Sequence, residues 1–143
     1  MRRALMAAVM VLCGVMSPAT GLAQRPADLA VTVSYKGKGT VDPKHEILVF
    51  LFTNPTITAE SEPIGMQQIT KNGGTATFKA VAPETVYVVM VYDELSNYDG
   101  TSGPPPAGAP IGNYAKDGKL IPVNPAKTPA IGATFDDSHR WGK

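Results

Sequence analysis

The sequence has one cysteine, Cys13, inside the apolar stretch at its N-terminus. Beyond it there is no thiol, which excludes disulfides, cysteine metal sites and cysteine nucleophiles from the rest of the chain. No run of Lys or Arg forms a stripe, and 13 basic residues against 12 acidic ones leave the charge near neutral. Nucleic-acid binding and attraction to an anionic membrane therefore lack an electrostatic footprint. Histidine is confined to His45 and His139, and Trp141 is the one tryptophan. Helix-period patterning is missing. So is any apolar run of the about 20 residues that a membrane helix needs.

What is present begins with Met1-Arg2-Arg3, a positive start followed by the almost wholly apolar Ala4–Met16. Ser17-Pro18 breaks that run, and Gly21-Leu22-Ala23 offers small residues to an export peptidase. The pattern predicts a secretory signal peptide over 1–23 and an exported protein, periplasmic or extracellular. A lipid anchor on Cys13 would need a small residue before it, and Leu12 stands there. Losing Arg2 and Arg3 leaves 11 basic residues against 12 acidic. The remaining chain, roughly 120 residues, suffices for one core, expected over 28–139.

Period-2 segments recur along it. Leu29, Val31, Val33 and Tyr35 share one face of a half-buried strand, and Ile47–Phe52 is apolar on both faces. A short strand is expected near Met66–Thr70 and another over Gly74–Ala80, joined by Asn72-Gly73, the dipeptide of a type I′ hairpin. Thr85–Tyr92, Leu120–Val123 and Ala130–Phe135 complete about seven strands. The region between Tyr92 and Gly118 reads as turns. Short strands punctuated by Gly, Pro and Asn predict an all-β, antiparallel two-sheet β-sandwich.

The pattern Phe78-x-x-Val81-x-Pro83-Glu84-Thr85-x-Tyr87-x-Val89, followed by Tyr92-Asp93, resembles the hairpin of carboxypeptidase regulatory-like domains, also called transthyretin-like or prealbumin-type. Val31-x-Val33-x-Tyr35 and Ile47–Phe52 extend the likeness to about half of the chain after the signal. Glu84 departs from it, standing where the family usually has glycine. The resemblance implies an accessory β-sandwich module that is structural, carbohydrate-associated or protein-contacting and seldom catalytic.

Independently of any family, a sandwich buries one face of each sheet, so its strands should alternate apolar with polar. Ile47–Phe52 and Val86–Tyr92 do not. Side by side they would carry Phe50, Phe52, Tyr87 and Val89 on an outer face. Leaving such side chains wet forfeits several kcal/mol at about 25 cal/mol per Å2, so a cover is expected. The first candidate is the chain's own Thr101–Tyr114 segment; the second is a protein or polysaccharide partner.

Asp93, Asn97 and Asp99 set three oxygen-bearing side chains at a strand end, suited to a Ca2+-stabilised loop; Asx turns that cap their own backbone are the competing reading. Asp136 and Asp137 are candidates for a further carboxylate at that end, or for plain strand-end charges. His45 beside Asp42 and Glu46 reads as a turn. Asp137-Ser138-His139 carries the letters of a hydrolytic triad, but in extended chain neighbours face opposite ways. Tyr98, Tyr114 and Trp141 are the candidates for a ligand or partner surface. The functional expectation is a non-enzymatic accessory module, with carbohydrate binding as the alternative and a small hydrolase behind it.

Overall fold

The structure, a computed structural model, describes residues 25–143; the expected signal peptide over 1–23 falls outside the described residues. Nine strands form, with no helix among the described residues. They are β1 (Ala27–Tyr35), β2 (Ile47–Phe52), β3 (Gly65–Ile69), β4 (Thr75–Val81), β5 (Tyr87–Tyr92), β6 (Ile111–Asn113), β7 (Ala115–Lys116), β8 (Lys119–Leu120) and β9 (Ala130–Phe135). A three-stranded sheet is ordered β4-β1-β9, a four-stranded sheet β3-β2-β5-β6, and β7 pairs only with β8.

The two larger sheets share one apolar core. Leu29, Val31 and Val33 of β1 and Phe78 of β4 enter it from one side, Val49, Leu51, Val88 and Met90 from the other. Alternation on β1, β4 and β9 puts the opposite residues, among them Thr32, Thr77 and Thr134, in solvent. The result is a β-sandwich-like all-β fold.

Three expectations need correction. The pairing is not wholly antiparallel: β1 and β9 run parallel, from Ala30 opposite Ala130 to Tyr35 opposite Phe135. A turn in which Lys127 N and Thr128 N donate to Asn124 O brings the chain back to the end where β1 starts, and Ala30 N donates to Pro129 O at 2.8 Å. Entering there, β9 can only run alongside β1.

Asn72-Gly73 is not a hairpin within a sheet, because β3 and β4 belong to different sheets. Gly74 N donates to Lys71 O at 2.9 Å, and only Gly73 of the two central residues has positive φ, +80°. One positive φ, at the third position, is a type II pattern and turns a corner between layers. Asn72 then acts as a strand residue: its Oδ1 accepts from Tyr35 N at 2.8 Å and its Nδ2 donates to Tyr35 O at 2.7 Å. Two successive positive φ values instead occur at Asp117 (52°) and Gly118 (75°), which close the β7–β8 hairpin.

The turn-rich region also hides a strand. Ile111–Asn113 joins the free edge of β5 as β6. The strand expected over Leu120–Val123 shrinks to β8 and a lone bridge between Val123 and Val86.

Candidate functional site

Because β2 and β5 are apolar on both faces, the four-stranded sheet carries a second cluster on its outer side. Leu48, Phe50, Phe52, Val91, Tyr98 and Ala109 are buried there. The expected cover, Thr101–Tyr114, supplies only part of it. Backbone pairing takes Ile111–Asn113 into the sheet rather than over it, and the main plug is Tyr98, just before that segment. The Tyr98 ring lies 6.4 Å from that of Phe50, and its hydroxyl donates to Gly103 O at 2.9 Å. Burial first, and Asp99 second, push the Tyr98 hydroxyl above its ordinary pKa. Gly100 follows with φ +80°; a Cβ there would stand 3.2 Å from the Phe50 ring, so a side chain would both strain the backbone and crowd the aromatic.

This cover is incomplete. A cavity of about 370 Å3 stays open between the loops, floored by Phe50, Phe52, Val89 and Val91. Ile57, Ile111 and Trp141 wall it, and Thr58, Glu60, Ser61 and Glu62 form one rim. Ile57, Val89, Ile111 and Trp141 also line a second depression, which runs on to Tyr87 and Lys119. A concave apolar site with a few polar groups at its edge, in the range of about 300–1,000 Å3, is the usual form of a ligand pocket.

Trp141 reaches the cleft on a strap. Gly108 N donates to Trp141 O at 2.7 Å, Trp141 N to Ala109 O at 2.9 Å and Ile111 N to His139 O at 3.0 Å. The C-terminal segment thus continues the pairing beyond β6. Arg140 pins it, donating through Nη1 to Glu94 Oε2 at 2.8 Å and to Gly108 O at 2.7 Å. On the other side Arg140 Nη2 lies 3.8 Å from Asp137 Oδ1. Asp137 also accepts from the Tyr35 hydroxyl and from Lys38 N. Those two bonds, the hydroxyl's first, hold the Asp137 carboxyl below its ordinary pKa. So Asp137 does reach the end where Glu94 lies, through Arg140, while Asp136 caps Ser138 N at 2.8 Å.

Of the three expected surface aromatics, Tyr98, itself buried, and Trp141 both line the cleft and Tyr114 does not. Ile111 faces outward, so alternation turns Tyr114 inward, where it packs against the inner core. Asp93, Asn97 and Asp99 line one shallow depression with Glu46 and Lys44. Asp93 Oδ1 accepts from Asn97 N at 3.0 Å. Asp99 Oδ1 accepts from Thr101 N at 2.8 Å and from the Thr101 and Ser102 hydroxyls. The Thr101 N–H, above all, holds the Asp99 carboxyl below its ordinary value. Among the described residues no group of three or more His, Cys, Asp or Glu side chains converges on a metal position.

His45 Nδ1 lies 3.0 Å from Asp42 Oδ1 within its own turn. Ser138 and His139 do meet, with Oγ and Nδ1 3.0 Å apart, against the expectation that they diverge. The chain there is a turn rather than extended. Asp137, however, is engaged with Tyr35 instead. Sequence reasoning missed Ile57 and the Glu60–Glu62 rim, whose only signal was a polar stretch following a two-faced apolar strand. The chain matches no protein-family model, no curated protein and no solved structure.

Proposed function

We propose that the protein is an exported, non-enzymatic binding module, a two-sheet β-sandwich similar to the carboxypeptidase regulatory-like and transthyretin-like domains. It holds an apolar segment of a protein partner in the cleft over β2 and β5. One observation carries this reading. The outer faces of two central strands carry apolar side chains, and the loops that bury most of them still leave a cavity open beside Phe50, Phe52, Val89 and Val91. Export rests on the Met1–Ala23 pattern. Asp137, which turns to Tyr35 rather than to His139, argues against the one hydrolytic triad whose letters the sequence carries.

A polysaccharide is the second reading, favoured by Tyr98 and Trp141 sharing one cleft. A Ca2+-stabilised Asp93–Asp99 loop is part of the proposal only as an addition, since Asp93 and Asp99 already order that loop by accepting hydrogen bonds from Asn97 N and Thr101 N. A thermal midpoint that drops on adding EDTA would support the ion, and an unchanged midpoint would leave the turns alone.

The test uses the neutral probe phenylbutanol and the fluorescence of Trp141. Binding should shift the emission saturably, and Ile111→Asp, at a partly exposed position, should abolish the shift without changing the circular dichroism spectrum. An emission indifferent to the probe, or a variant that still binds it, defeats the proposal.

A further inference from the structure

The cleft is one-sided in charge. Among the described residues there are 11 basic side chains and 12 acidic ones, so an even mixture is the expectation at any surface site. None of the 11 lines the cleft, whereas Glu60 and Glu62 both do. Neither carboxylate belongs to the ion pairs formed among the described residues, which join His45 to Asp42, Lys79 to Asp28, and Arg140 to Glu94 and Asp137. Glu60 only accepts a hydrogen bond from the Thr58 hydroxyl. The first basic residue along the groove is Lys119, in the second depression.

The walls suit a cation as well. Phe50 and Phe52 lie 6.4 Å apart, ring to ring, Tyr98 is 6.4 Å from Phe50, and Trp141 lines the same cavity. Aromatic faces attract a positive charge through their quadrupoles, most strongly for Trp and where water is partly excluded. The depressions share four residues and run on from one to the other, a shape for an extended chain more than for a compact small molecule. Resting on the reading of the cleft as a partner site, we propose that the segment it takes is cationic as well as apolar. Aliphatic or aromatic side chains fill the groove, and a Lys or Arg beside them lies at the Glu60–Glu62 rim.

Three capped peptides test this on the full mature chain: Lys-Leu-Phe-Leu, Gln-Leu-Phe-Leu and Glu-Leu-Phe-Leu, titrated against Trp141 emission. The Lys peptide should bind about fivefold tighter than the Gln peptide, and the Glu peptide weakest, as expected for partly exposed charges. The Glu60→Gln/Glu62→Gln double variant should erase the ranking, and phenylbutanol binding by the parent protein reports the apolar cleft by itself. High salt should shrink the gap in the parent protein. Equal affinities for the three peptides, or a ranking that survives in the double variant, overturns the inference while retained phenylbutanol binding leaves the cleft reading standing. Loss of every probe brings both down, and a stable dimer in native mass spectrometry would then assign the face to a second copy.

Discussion

The two apolar clusters of this molecule are built from opposite faces of the same strands, and they are finished differently. The inner one is closed by strand against strand: the inward residues of β2 and β5 share one buried cluster with residues of β1, β4 and β9. The outer one is closed by loops, through Tyr98, Ala109 and Ile57, with Tyr98 and Ala109 held by local hydrogen bonds. Sheet pairing fixes the inner layer at native packing density. Loop cover leaves a gap, and the gap is the candidate site. A strand that is apolar on both faces thus packs one of them against a sheet and leaves the other to loops.

The largest effect expected from breaking this contrast is in the inner layer. Met90→Ala should cost about 3 kcal/mol, read from urea denaturation, because Met90 is fully buried among both sheets. Phe52→Ala, beside the open cleft, should cost about half of that, since part of its surface already borders a cavity. Equal losses would erase the distinction between the layers.

Next comes Tyr98→Phe, which keeps the ring and removes the bond to Gly103 O. About 1 kcal/mol is expected. Cleavage between Ser102 and Ala107 by a nonspecific protease should quicken at the same time; an unchanged cutting rate would show that the ring alone holds the loop.

A smaller effect concerns pH. The Asp137 carboxyl is held below the ordinary value of about 3.9, so its contribution is present above about pH 4 and drains away as pH falls further. The Tyr35 hydroxyl is pushed up by burial first and Asp137 second, so its contribution is present below about pH 10 and is lost as pH rises beyond that. Plotted against pH, the urea midpoint should sag at both ends, and Tyr35→Phe should flatten both limbs. Parallel curves for variant and parent would detach the pair from stability. Least of all, Lys79→Ala should change stability by under about 0.5 kcal/mol, because its pair with Asp28 lies in open solvent.

The strands of this fold were legible where apolar residues alternate or run together: β1, β2, β5 and β9 lie where the sequence puts them. Ile111–Asn113 was not, since its Gly and Asn are turn formers by local preference, and the free edge of β5 overrides that preference. The parallel partnership of β1 and β9 was equally hidden, because it depends on which end the chain re-enters. Of the site, the need for a cover could be read from Phe50, Phe52 and Val89. The identity of the cover could not, because Tyr98 and Ile57 come from loops whose approach follows from no periodicity. The tie between Tyr35 and Asp137 spans most of the chain and leaves no local trace.

Asn72 carries one more consequence, for how the protein ages. An asparagine followed by glycine ordinarily sheds ammonia with time, as the next residue's nitrogen attacks the side-chain carbonyl carbon and water later opens the ring. Here that nitrogen is committed to Val33 O at 3.0 Å, and the amide itself is clasped by Tyr35. Storage damage should therefore begin from chains that have already opened, with the mass gain at Asn72 keeping pace with unfolding and not with the calendar.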